Sequence, residues 1–152
     1  MMFSAKHRHG VGVHGEELAA RFLVKSGYEL IYRNYRKPWG EIDIIAKDRD
    51  GKLIFVEVKT IVNNQLEGLT PEDNLTKSKL GRLYRACEMF SAKHPDLVSE
   101  KMGWQLDLIT LTLRQNPGSI SSSPSLRAEG LSAANGLTIS EKNCEIKHYP
   151  NI

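Results

Sequence analysis

Two rhythms of apolar residues alternate along this chain. From 15 to 26 (GEELAARFLVKS) the period is that of a helix, and Gly27 supplies a stop. Glu17, Arg21 and Lys25 fall at i, i+4 and i+8, one wet stripe of opposite-sign neighbours. Leu18, Ala19, Ala20, Phe22, Leu23 and Val24 fill the rest of the circumference. Glu16 falls inside that apolar arc and points toward the core. The helix dipole makes a first-turn glutamate tolerable but does not explain an inward one.

The period then shortens to two. Residues 28–35 (YELIYRNY), 41–47 (EIDIIAK) and 53–59 (LIFVEVK) predict three strands, the first ended by Lys37-Pro38-Trp39-Gly40. Thr76 is a good N-cap for a second helix, with Leu80, Leu83, Tyr84, Cys87 and Phe90 as its buried stripe. Residues 104–113 (WQLDLITLTL) predict a fourth strand, and 144–149 (CEIKHY) a short closing strand at a sheet edge. Residues 1–13 suggest a flexible basic arm, and 114–138, rich in Ser, Pro and Gly, a mobile loop. The remainder, 14–152, is expected to be a single α/β domain with a mixed sheet of about five strands flanked by helices.

The turn between the second and third strands sets their register. A three-residue Arg49-Asp50-Gly51 loop, with Gly51 left-handed, pairs residues whose numbers sum to 100. Asp43 then faces Glu57, and Glu41 faces Lys59. Ile42, Ile44 and Ala46 share an apolar face with Ile54, Val56 and Val58, whereas a one-residue slip scatters the charges over both faces.

Two opposed carboxylates repel and, once shielded, lose hydration. Counting Glu16 and Glu41, four acids stand against Lys59 alone. Such a group asks for a hard divalent cation with oxygen ligands, and Asp43 and Glu57 are the expected metal ligands. A metal there would lower the pKa of a bound water and neutralise charge on a phosphoryl oxygen, with Lys59 positioning the water or stabilising the developing charge. No GxSxG element or phosphate-binding P-loop occurs.

Composition adds modest constraints. The chain has 152 residues, 40% hydrophobic and 26% charged, with a net charge of +3 that leans only mildly toward polyanions. Cys87 and Cys144 stand far apart without a metal-binding spacing, which suggests buried thiols in a reducing compartment. With no secretory signal and no long apolar run, a cytoplasmic location is expected.

Asp43 followed by Glu57-Val58-Lys59 on the next strand resembles the PD-(D/E)xK signature of restriction-endonuclease-like proteins. The ordered series GEELAA (15–20), Gly27-Tyr28, RNYR (33–36), GEIDIIA (40–46) and FVEVK (55–59) is similar to the YraN family of bacterial proteins. A weaker likeness continues through Pro71, Lys79, Asp107 and the final EIKHYPNI. The resemblance implies a restriction-endonuclease-like fold with Asp43, Glu57 and Glu16 as metal ligands and Lys59 as the catalytic lysine. The same helix glutamate ligates metal in related archaeal Holliday-junction resolvases. Two departures remove positive charge: Ile61 and Gln105 stand where the family pattern has arginines.

The expected function is a magnesium- or manganese-dependent endonuclease acting on DNA, with branched or flapped substrates in view. Arg33, Arg36, Lys37, Lys79 and Arg82 are candidate phosphate contacts, and Glu41 a supporting acid beside the metal site. One such site cuts one strand, so cutting a duplex or junction favours a homodimer. The alternative is a nucleic-acid-binding module that keeps the fold without catalysis.

Overall fold

The computed structural model describes residues 5–62, 75–113 and 144–152, with the side chains of 5–11 and of Val62 outside the description. The 114–138 stretch read as a mobile loop, and residues 1–4 of the arm, also lie outside it. The described elements are α1 (Ala5–Lys25), β1 (Glu29–Lys37), β2 (Gly40–Lys47), β3 (Leu53–Val62), α2 (Lys77–Lys93), β4 (Trp104–Leu113) and β5 (Cys144–Tyr149). The helix therefore begins at Ala5, ten residues before the expected start, and takes in most of the residues assigned to a flexible arm.

One mixed sheet runs in the order β1-β2-β3-β4-β5. Only β3 and β4 are parallel neighbours; the other pairs are antiparallel. A helix covers each face. Leu18, Ala19, Ala20 and Leu23 of α1 pack on Ile44, Ala46, Ile54, Val56, Ile109 and Leu111. Leu83, Ala86, Cys87 and Phe90 of α2 pack on Ile42, Ile45, Leu53, Phe55, Leu106 and Leu108. Tyr84, expected in the buried stripe, sits at its margin and donates its hydroxyl to the Ile152 carbonyl. Burial raises the pKa of both thiols, Cys87 and Cys144, which are unbridged.

Local chemistry accounts for the element ends. Gly27, at φ 89°, closes α1 while the Tyr28 N–H reaches back to the Leu23 carbonyl. Thr76 caps α2, its hydroxyl accepting the Lys79 N–H at 3.2 Å. In the β2–β3 turn the Asp48 carboxylate accepts the N–H groups of Asp50 and Lys52, and Gly51 has φ 84°. The ladder runs Ile44–Val56, Ile45–Phe55, Ala46–Ile54 and Lys47–Leu53, the expected register.

One expectation fails next to it. Ile42 does not share the Ile44–Ala46 face but joins Ile45 under α2. On β1, Tyr35 pairs with Ile42 and Tyr32 with Ile45, so two residues instead of one separate these positions in both strands. The register of this pair shifts between Leu30 and Tyr32, and Asn34, with φ 53°, stands between the paired residues Arg33 and Tyr35. Asparagine tolerates that left-handed conformation better than most residues. The sheet is thus locally irregular where the candidate chemistry begins.

Candidate active site

β2 and β3 part company just beyond Ile44–Val56. There Asp43 turns its carboxylate toward β3 and accepts the Val58 backbone N–H at 2.7 Å. A side-chain oxygen replaces the ladder carbonyl, which holds Asp43 at the strand end with its charge partly buried. Glu57, one residue before Val58, is only 3% exposed. Its oxygen receives a close ion pair from the Lys79 ammonium on the first turn of α2. Lys59 follows two residues later, half-buried, in the regular part of β3 opposite Thr110.

Four elements, β2, β3, α2 and α1, therefore deliver charge to one end of the sheet. α1 contributes Glu16, because Gly15 lets the helix lie against β3: a Cβ at Gly15 would come within 1.8 Å of the Thr60 hydroxyl. Burial first, and then the Glu57 and Glu16 carboxylates, push Asp43 up to about 7. The Val58 N–H and the Lys79 ammonium pull the other way without prevailing. A carboxyl that holds its proton near neutral pH is a common mark of a functional site, though structural clusters show it too.

The expected residues separate into groups. Asp43 and Glu57 come together, Glu16 acts on Asp43 through its charge, and Lys59 stands two residues after Glu57 on the same strand, while the cation that meets Glu57 is Lys79. Among the described residues no three His, Cys, Asp or Glu side chains form a ready metal cluster, so Glu16 is not drawn into a ligating set with the other two. Glu41 does not oppose Lys59, since the ladder ends before it; it lies exposed, 3.8 Å from Arg36. Arg36, Lys37, Lys79 and Arg82 line one cleft with Trp39 and Gly40. Arg33 is elsewhere: it binds Glu17 on the outer stripe of α1 at 2.8 Å, and with Arg21 it lowers the Glu17 pKa.

Two features escaped the sequence reading. Lys79 is a second cation in the acid pair, and nothing in the helical period of α2 reveals a contact with another element. The other is a hub at Asp107, fully buried on β4. Its carboxylate accepts from Gln105 at 2.8 Å and from the Asn151 backbone at 3.0 Å, and meets His148 Nε2 at 2.8 Å. Phe22 and Tyr28 pack edge-on around that imidazole. Gln105 also accepts from Lys52 at 2.7 Å, so the residue in an arginine's place links the β2–β3 turn to the hub.

The family model for uncharacterised proteins UPF0102 matches residues 15–111, which takes in the second half of α1, β1 to β3, α2 and most of β4. This chain belongs to the UPF0102 family. A UPF0102 protein of Roseiflexus castenholzii is 40% identical over 106 residues, covering 70% of this chain and 82% of its own. One from Caldicellulosiruptor bescii is 39% identical over 101 residues, covering 66% and 81%. In Rhodococcus opacus the identity is 47% over 77 residues, 51% of this chain and 63% of the relative. Membership agrees with the YraN-like series of motifs, and the family's description names no activity. Among solved structures the chain is similar to an EndoMS–dsDNA complex at TM-score 0.36 and 14% identity, over 60% of this chain and 34% of that one. A likeness that distant carries no functional information. No helix among the described residues is long and apolar enough to cross a membrane.

Proposed function

We propose that this UPF0102 protein is a metal-dependent endonuclease of the PD-(D/E)xK kind, hydrolysing phosphodiester bonds in DNA. The observation that carries the reading is Asp43, pushed up to about 7 by burial and by Glu57 and Glu16, with Lys59 on the adjoining strand. Two partly buried carboxylates in mutual repulsion fit a hard cation, and two protein oxygens with the rest from water or substrate suit magnesium or manganese. Held by Asp43 and Glu57, such an ion would supply Lewis-acid polarisation of the phosphoryl oxygen and a water of lowered pKa.

The chain's own groups do the rest. The Val58 N–H holds Asp43 in place at 2.7 Å, and the α1 approach at Gly15 keeps Glu16 near enough to act on it. Lys59 orients the attacking water and takes up charge developing on a non-bridging oxygen. Lys79 withdraws from Glu57 to phosphate when the strand arrives. Arg36, Lys37 and Arg82 hold the DNA backbone. One site serves one strand, so a duplex or junction is cut by two copies of the chain.

The Lys79–Glu57 pair also favours a second reading, a module that binds branched DNA and leaves it intact because its own lysine fills the acid pair. A cleavage screen decides between them. Single-stranded, duplex, flap and four-way DNA are incubated with the purified chain in magnesium or manganese. The nuclease reading expects nicking that Lys59→Ala and Asp43→Ala abolish while binding persists. Binding to flaps or junctions without nicking in either metal supports the module.

A further inference from the structure

The turn joining β1 to β2 leans on α2. A Cβ at Gly40 would stand 3.0 Å from the Ala86 Cβ and 3.3 Å from the Arg82 carbonyl, so only a glycine lets the turn come this close. The approach encloses a cleft of about 440 Å³, within the size range of small-ligand sites, roughly 300–1,000 Å³. Its lining combines two chemistries. Trp39, Pro38 and Leu83 are apolar; Arg36, Lys37 and Arg82 are cationic, with Glu41 beside Arg36 as the lone carboxylate. The Lys93 ammonium sits 4.4 Å from the centroid of the Trp39 ring and steadies it. The indole N–H is buried without an acceptor, so the ring offers the cleft its carbon surface and no donor.

We infer that this cleft is a subsite for one unpaired nucleotide of a DNA strand, flanking the bond that Asp43 and Glu57 address. Its place next to that bond rests on the endonuclease reading. Duplex backbone is held by open cationic strips, whereas a concave wall with an indole suits the face of a base that has left its stack. Cations at the rim then take the phosphates on either side. Lys79 ties the cleft to the carboxylates, since it lines the one and bonds Glu57 of the other. A strand entering the cleft offers phosphate to Lys79 and thereby frees Glu57. The chemistry is that of a nucleotide, free or within a strand, and the spread of cations beyond a single phosphate favours the strand.

Fluorescence anisotropy in EDTA, where nothing is cut, tests this on a short oligothymidylate, a blunt duplex of equal length and the same duplex with a thymidine flap. The single strand and the flap bind roughly tenfold tighter than the blunt duplex, the order of one base stacked on an aromatic ring. Trp39→Ala erases that preference, Trp39→Phe keeps most of it, and millimolar thymidine monophosphate leaves the flap bound. Equal loss of single-strand and duplex binding in Trp39→Ala overturns the subsite, and displacement of the flap by the mononucleotide overturns the strand as its occupant. If Trp39→Ala does not fold, Arg82→Glu replaces it, and an unchanged single-strand preference there overturns the subsite. Preference without cleavage in either magnesium or manganese would sink the endonuclease reading alone. Cleavage of blunt duplex with no such preference would sink the subsite alone.

Discussion

The proton on Asp43 couples folding to pH. An unfolded chain releases it at about pH 3.9, and the folded chain holds it up to about 7. The folded state binds the proton more tightly, so this stabilisation is complete below about pH 4 and is lost as pH rises through 7. Asp43→Asn keeps an acceptor for the Val58 N–H and escapes the loss. Metal-free thermal melts at pH 8 place it above the wild type by about 1–3 kcal/mol, with the gap shrinking toward pH 5. A gap that ignores pH contradicts the electrostatic account of the site. Lys79 gives the second residue-scale prediction. Lys79→Met leaves the buried Glu57 carboxylate unpaired and costs about 1–3 kcal/mol in metal-free urea titration at pH 7. The same change tightens manganese binding in calorimetry, because the ion no longer competes with an ammonium. The nearness of Asp43 to Glu57 was anticipated but not its route, because the ladder ends at Ile44–Val56 and Asp43 reaches β3 through the Val58 N–H. The Lys79 contact was not anticipated, because its partner lies on another element, and Arg33 misled because Glu17 on α1 claims it.

Between elements, one close approach decides where Glu16 stands. Gly15→Ala drives a methyl into the Thr60 hydroxyl, forcing α1 off β3. A loss of about 1–3 kcal/mol is expected from such overpacking. Thr60→Ala removes the colliding oxygen, so the double variant recovers most of the loss in denaturant titration; additive losses would contradict this contact. The hairpin itself was legible from Asp48 to Lys52, since Gly51 and the Asp48 side chain determine the turn locally. Ile42 was not legible, because the left-handed Asn34 beside its partner Tyr35 lies on another strand. Nor was the start of α1: Gly10 and Gly12 interrupt the apolar period there, and the helix runs through them.

Across the whole molecule the modest +3 charge matters less than where the cations gather. Arg36, Lys37, Lys79 and Arg82 share one cleft at the end of the sheet that carries the acids. If three or four of them meet phosphates, log affinity for DNA falls against log salt with a slope of about −3, and Arg82→Ala reduces that slope by about 1. A slope near zero would remove DNA as the partner. The layered α/β plan was legible in the order of elements, and the mixed sheet followed from it.

The pairing of Asp43 with Glu57 around one cation is tested most directly by anomalous diffraction from crystals of the chain grown with manganese above pH 7. A peak within coordination distance of both carboxylates, with Lys79 turned away from Glu57, is the expected result. Crystals that diffract well, contain manganese, and keep Lys79 on Glu57 with no peak at Asp43 would contradict it.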